Sequence, residues 1–236
     1  MSTQHDSLMR RFEQHKPKNE KSKIDDKNIY ESMAMVADYL EERFSGQLDD
    51  YIITFDKSIK ISYMIGLIKT KKIRNEFDYE FIDRTIVPDG GALFLEKKDG
   101  SFKKPILISE VKRQGTNKQR MQKGFERQAT GNAIERLGKN LTGIKTMMNH
   151  EKITPFVCFG WGDDFAPEEK TVLSKVSMLN EFYPLNKTYV FKKDGDSNFN
   201  DFSPVSMYFR EKLWSVEEMF EIMKEIAETS LRYYIY

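Results

Sequence analysis

Residues 88–112 have the sequence PDGGALFLEKKDGSFKKPILISEVK, which predicts a β-hairpin. Residues 92–96 are mainly apolar and lead into a turn that contains Asp99-Gly100, a pair typical of tight hairpin connections. Residues 105–112 then alternate in the manner of a strand. The chain is therefore expected to fold back on itself here, with the two strands paired.

The hairpin brings three ionisable residues to positions where they can meet. Side chains two positions apart in a strand point to the same face, so Glu110 and Lys112 are expected side by side. Asp89 lies just before the partner strand, after a proline that favours extended backbone at Val87, and it can approach Glu110 across the hairpin. Two carboxylates and a lysine suit phosphodiester hydrolysis, because the carboxylates can hold Mg²⁺ while the lysine orients water and offsets charge on phosphorus. The alternative is an ordinary Glu–Lys pair on a surface hairpin, since such triplets are common in a chain with 32% charged residues.

The composition favours one globular domain over a membrane protein or a uniformly basic nucleic-acid coat. A chain of 236 residues can bury a sizeable core, and its formal net charge is only +1. Any DNA contact must therefore come from locally clustered charge. A single cysteine, Cys158, excludes an intramolecular disulfide framework and fits a reducing cytosol, and its apolar surroundings favour a buried structural thiol. We expect a flexible N-terminal arm over residues 1–28 and a single domain over residues 29–236, with no membrane span.

The segment after the hairpin concentrates positive charge. Residues 113–127 hold five basic side chains against one acid, together with several amides that could pair with base edges. A polar connection between a strand and a helix is the alternative interpretation. A helix is predicted from residue 132 onward, with Asn132 suited to its N-cap, where free N–H groups attract phosphate. The alternative there is a capped helix that only contributes to the core.

The remaining periodicities predict an α/β order of elements. Apolar spacing favours helices over residues 29–44, 59–68, 170–182 and 214–232, and strands over residues 51–55, 153–161 and 188–191. The run at residues 153–161 is continuously apolar, which is typical of a central strand that is buried on both faces.

The quoted motifs also resemble a known family. Pro88-Asp89 followed by Glu110-Val111-Lys112 is similar to the signature of the PD-(D/E)xK nuclease superfamily. The fuller pattern, with Pro88-Asp89-Gly90-Gly91, residues 110–115 and Gly131-Asn132-Ala133-Ile134-Glu135-Arg136, resembles the EcoRI- and MunI-like type II restriction endonucleases. Residues 13–16 resemble the N-terminal arm of the same family, and residues 219–223 and 229–232 resemble its C-terminal helix. The resemblance implies a restriction-endonuclease-like core, in which a mixed central β-sheet is flanked by helices.

The resemblance also implies roles for individual residues. Asp89 and Glu110 would hold Mg²⁺ with the Val111 carbonyl, and Lys112 would position the attacking water. DNA contacts would come from residues after the second hairpin strand and from the start of the next helix: Gln114, Lys118, Arg120, Lys123, Gly131, Asn132, Ala133, Glu135, Arg136 and, by a weaker alignment, Lys175.

The function implied by the resemblance is Mg²⁺-dependent cleavage of double-stranded DNA at a short palindrome centred on AATT. The enzyme would be a cytoplasmic homodimer, paired in a restriction-modification system with a cognate DNA methyltransferase. Two alternatives stay open. One is a structure-selective or sequence-independent repair nuclease with the same core, and the other is a DNA-binding module without activity.

Overall fold

The computed structural model describes residues 16–67, 84–113, 117–126, 132–165, 174 and 205–236. Its helices are α1 (Lys16–Arg43), α2 (Ile61–Leu67), α3 (Asn117–Gln122), α4 (Asn132–Met147) and α5 (Val216–Ile235). Its strands are β1 (Tyr51–Asp56), β2 (Ile59–Lys60), β3 (Thr85–Ile86), β4 (Gly91–Lys97), β5 (Lys103–Arg113), β6 (Phe156–Trp161) and β7 (Val205–Arg210).

The main sheet is mixed and has five strands in the order β1-β4-β5-β6-β7. The β4–β5 hairpin and the β1–β4 pair are antiparallel, because short connections reverse the chain direction. A crossover through α4 makes β6 parallel to β5, and β7 is parallel to β6. The predicted fold class, a mixed sheet flanked by helices, is confirmed.

Apolar side chains cover the sheet on both faces. On one face Leu137, Leu141 and Ile144 of α4 pack with sheet residues such as Ile108 and Phe156. On the other face α1 and α5 pack together and cover the opposite side chains of β4, β5 and β6. Strand β6 is consequently buried from Phe156 to Gly160, as its continuous apolar run predicts.

Helix α1 begins earlier than the sequence predicts. Its apolar stripe of Ile29, Met33, Val36 and Leu40 is fully buried at helical spacing, but the helix starts at Lys16. Residues 16–28, which the sequence assigned to the flexible arm, are therefore helical. Within this part of the helix, Asp25 is buried beside Arg113, which ties it to the folded domain.

The start of helix α5 is capped and is joined to both α1 and β7. Ser215 caps it and forms a reciprocal capping box with Glu218. The hydroxyl of Ser32 in α1 donates a hydrogen bond to the Val216 carbonyl at 2.9 Å, which joins the two helices. Arg210 at the end of β7 forms an ion pair with Glu218, so the last strand is tied to the same helix start.

The other predicted elements have mixed outcomes. The helix at 29–44, the strand at 51–55, the helix from 132, the strand within 153–161 and the C-terminal helix are confirmed with shifted ends. The segment 59–68 begins as strand β2 and becomes helical only at Ile61. Two predicted elements lie outside the described residues: the helix at 170–182, apart from Ser174, and the strand at 188–191. Strand β7 was not predicted. Cys158 is a buried free thiol, as expected. No helix in the described part of the chain is long and apolar enough to cross a membrane.

Candidate active site

The β4–β5 hairpin brings Asp89, Glu110 and Lys112 together. The Lys112 ammonium lies 2.7 Å from Asp89 Oδ2 and also forms an ion pair with Glu110 Oε1. The backbone N–H of Asp89 donates a hydrogen bond to Glu110 Oε2 at 3.2 Å. Strand alternation in β5 therefore sets Glu110 and Lys112 on one face, and the turn before β4 supplies Asp89 from across the hairpin.

Two glycines allow the turn before β4 to lie this close to β5. The N–H of Gly90 donates to the Ser109 carbonyl at 3.0 Å, and a Cβ at Gly90 would lie only 2.0 Å from Ser109 Oγ. Gly91 has a φ of 75°, and a Cβ there would lie 2.8 Å from the ring of Phe55. Only residues without a side chain fit both positions, so the two glycines after Asp89 have a structural cause.

Burial and neighbouring charges together set the pKa values of this group. Glu110 is 1% exposed, and burial, followed by the negative charge of Asp89, raises its pKa while Lys112 opposes the shift. Burial alone would lower the pKa of Lys112, but the carboxylates of Glu110 and Asp89 outweigh it and hold the pKa above its usual value. Lys112 is therefore a cation at neutral pH. It is a charged donor rather than a base.

The oxygen atoms of this group fit a small divalent cation. The carboxylates of Asp89 and Glu110 converge on a single point of positive charge, which is the Lys112 ammonium in this structure. Mg²⁺ takes oxygen ligands, keeps several waters and needs only one or two protein carboxylates beside a substrate phosphate. The side chain of Val111 is buried in the apolar core, so this residue could contribute only its backbone carbonyl. Among the described residues there is no group of three or more His, Cys, Asp or Glu side chains that could hold a metal by themselves.

Asn140 is a polar neighbour of this group that the sequence analysis missed. Its side-chain amide donates a hydrogen bond to Glu110 Oε1 at 3.3 Å from α4. The two residues are thirty positions apart, and no local pattern marks such a contact. The spacing of Asn140 from the apolar residues of α4 indicates only that it lies near the edge of the buried stripe.

Helix α1 adds acidic residues that the sequence analysis had assigned to the flexible arm. Burial, followed by the charge of Asp89, raises the pKa of Asp26, while Lys112 opposes the shift. Burial raises the pKa of Asp25 to about 6, against the opposing effects of Arg113 and Trp161. The guanidinium of Arg113 lies 4.8 Å from the centre of the Trp161 ring, at the end of β5. In the sequence, these acidic neighbours of the site are marked only by their position as an adjacent pair just before the apolar stripe of α1.

The predicted DNA-contacting residues are described only in part. The Arg120 guanidinium donates to the Glu126 carbonyl at 3.0 Å and lies over the Phe125 ring, while Lys123 and Arg136 are exposed. No contact joins these three to the group around Glu110 in the described residues. The backbone places Lys118 within α3, and it places Asn132, Ala133 and Glu135 in the first turn of α4. Gln114, Gly131 and Lys175 lie outside the described residues.

Comparisons with known proteins place similar sequences in one family of enzymes. Residues 16–235 match the family model described as "Restriction endonuclease EcoRI". The chain is 28% identical over 177 aligned residues to the type II restriction enzyme RsrI of Cereibacter sphaeroides, covering 63% of this chain and 64% of that protein. It is 28% identical over 181 aligned residues to the type II restriction enzyme EcoRI of Escherichia coli, with the same shares covered. The match thus spans somewhat less than two thirds of the length of each of these relatives.

Proposed function

This chain belongs to the EcoRI restriction endonuclease family, and from that premise we propose that it is a Mg²⁺-dependent type II restriction endonuclease. Its substrate is double-stranded DNA with a short palindrome centred on AATT. The observation that carries the proposal is the convergence of Asp89 and Glu110 on the Lys112 ammonium at the open end of a hairpin. The two relatives are named as type II restriction enzymes, which supports the same activity for this chain.

The catalytic roles follow from charge and burial. Asp89, Glu110 and the Val111 carbonyl would hold Mg²⁺, which would polarise the phosphoryl group and lower the pKa of a bound water. In the metal-free protein the Lys112 side chain is an ammonium, because its carboxylate neighbours raise its pKa. As a cation it would orient the attacking water and stabilise negative charge that builds on the phosphoryl group. The nearly complete burial of Glu110 excludes bulk water from one side of the group.

The reading of DNA is assigned to the basic segment around α3 and to the first turn of α4. Free N–H groups at a helix start attract phosphate, and Asn132 with Ala133 can approach base edges in the major groove. Glu135 and Arg136 then link this segment to a second protomer. A homodimer with two-fold symmetry would present the same short surface to both halves of a palindrome. We further propose that residues 29–236 form a single nuclease domain that also includes the start of α1, and that the protein acts in the cytoplasm beside a cognate DNA methyltransferase.

A plasmid digest tests this proposal. The purified protein is incubated with a plasmid of known sequence and with Mg²⁺, and the fragment ends are then sequenced. Discrete bands whose ends share one AATT-centred palindrome are expected. EDTA should abolish the bands, and Mg²⁺ in excess over EDTA should restore them.

The same digest separates the alternatives. A smear without preferred ends would favour a sequence-independent or structure-selective nuclease with the same core. Sequence-specific retention of the plasmid without any Mg²⁺-dependent nicking would favour a binding module. Cleavage at one palindrome without AATT would leave the enzyme class intact and would refute the proposed site.

A further inference from the structure

One contact to the buried carboxylate comes from outside the three residues of the proposed catalytic group. The Asn140 side-chain amide donates to Glu110 Oε1 at 3.3 Å. A carboxylate oxygen only accepts hydrogen bonds when it is ionised, so the NH₂ group of Asn140, and not its carbonyl, must face Glu110.

Among the residues that the structure describes, Glu110 accepts from three donors, and these donors differ in how firmly they are held. One is the Lys112 ammonium and another is the backbone N–H of Asp89, and both belong to the group that engages metal and phosphate. Asn140 instead projects from α4, whose neighbouring residues Leu137 and Leu141 are fully buried against the sheet. Its amide is therefore the donor with a position set by a packed helix.

Helix α4 also connects this contact to the segment that is proposed to read DNA. The helix begins at Asn132, in the segment proposed to face DNA, and Asn140 follows eight residues later. Eight residues of α-helix span about 12 Å, so one rigid element extends from the proposed reading segment to the buried carboxylate.

We propose that Asn140 is a positioning residue that fixes the Glu110 carboxylate for metal binding. The inference rests on the proposed function for the identity of the metal and of the substrate. Partners that orient metal-binding carboxylates typically change metal affinity or activity by about 10–100-fold when they are removed. Because the hydrogen bond is long, we expect a loss near the lower limit of that range.

The test compares full-length Asn140→Ala with Thr146→Ala. Thr146 is exposed on the same helix, and its hydroxyl donates to the Thr142 carbonyl, so its replacement alters α4 without removing a contact to Glu110. Mn²⁺ is titrated into each protein in the presence of AATT-centred duplex DNA, after any cleavage is complete, and free Mn²⁺ is followed by electron paramagnetic resonance. Single-turnover cleavage is measured in parallel as a function of Mg²⁺ concentration, and duplex binding is measured in EDTA.

We expect Asn140→Ala to weaken Mn²⁺ binding about tenfold and to raise the Mg²⁺ concentration for half-maximal cleavage by a similar factor. Duplex binding in EDTA should stay within about threefold of the unaltered protein, and Thr146→Ala should match the unaltered protein throughout. Asn140→Gln, which keeps the donor on a longer stem, should restore part of the loss. If Asn140→Ala does not fold, Asn140→Ser replaces it, because a serine hydroxyl is too short to reach Glu110.

Unchanged Mn²⁺ affinity in folded Asn140→Ala would overturn the inference, even if its melting temperature fell. A protein that binds Mn²⁺ but does not cleave DNA would refute the proposed function, and the comparison of Mn²⁺ affinities would still decide the role of Asn140. An unaltered protein that binds no Mn²⁺ would refute both.

Discussion

Replacing Asp25 by asparagine is expected to stabilise the protein at neutral and alkaline pH. The carboxyl is 6% exposed, and burial raises its pKa from 3.8 to about 6 in spite of the nearby Arg113. Between these two values the folded protein binds more protons at Asp25 than the unfolded chain does. Ionising Asp25 therefore costs stability as the pH rises through this window, and asparagine removes that cost.

The magnitude follows from the shift of the pKa. A rise from 3.8 to about 6 corresponds to an upper limit of about 3 kcal/mol at pH 8. Local relaxation and water penetration reduce the cost of burying the charge, so we expect a gain of about 1–2 kcal/mol. Below about pH 3 the carboxyl is largely protonated in both states, so the two proteins should differ little there.

Urea unfolding of Asp25→Asn and of the unaltered protein at pH 4.5, 6 and 8 measures the difference, with the protein concentration held fixed because association shifts apparent stability. The gap in unfolding free energy should widen with pH. Asp38→Asn, at an exposed position of the same helix, is the matched control and should show no such trend. If Asp25→Asn were less stable than the unaltered protein at pH 8, attraction to Arg113 would outweigh burial and the reasoning would be wrong.

The other predictions concern the catalytic group, the tight turn and the reading segment. Glu110→Gln should abolish cleavage and spare specific DNA binding in EDTA, because it keeps the shape of the side chain and removes the charge that is proposed to bind metal; normal turnover by the pure variant would rule out this role. Gly90→Ala should lower the unfolding free energy by about 1–3 kcal/mol, since the new methyl group would overlap a buried hydroxyl, whereas Gly46→Ala, which faces open space, should not. Asn132→Ala should lose about 1–3 kcal/mol of discrimination per half-site, while Lys118→Ala should weaken binding to all sequences alike and reduce the salt dependence. A lower melting temperature with unchanged site preference in Asn132→Ala would leave it only a role in starting the helix.

The parts of the fold that the sequence predicts are those set by neighbours along the chain. The hairpin follows from alternation and from Asp99-Gly100, where the glycine has a φ of 72°. The approach of Asp89 to Glu110 then needs only the pairing of β4 with β5. Strand β7, with the sequence VSMYFR, was not predicted, although turn-forming residues that end in Pro204 lie directly before it.

The contacts that the sequence does not predict join distant segments. Asp25 is polar and lies in a charged run, so its neighbours along the chain do not indicate that it is buried. Arg113, the charged residue that it faces in the fold, is 88 positions away in the chain. Asn140 has the same character, since its contact exists only because α4 crosses over the sheet above Glu110. Local propensity carries no information about such pairs until the packing of helices on the sheet is known.

The dual contact of Lys112 bears on how its variants should be interpreted. With all three groups ionised, Asp89, Glu110 and Lys112 carry one net negative charge, and Glu110 is almost fully buried. An unpaired buried carboxylate is costly, so the ammonium stabilises Glu110 before any metal or DNA is present. Lys112→Ala removes this partner as well as the proposed donor to water, and its loss of activity would therefore combine two effects.

Mg²⁺ brings positive charge to the same carboxylates, so its binding would weaken the hold of Asp89 and Glu110 on Lys112 and leave the ammonium able to face the phosphate. Saturating Mg²⁺ should accordingly restore the folded stability of Lys112→Ala while leaving its chemical step slow, and that difference separates the two roles of the residue.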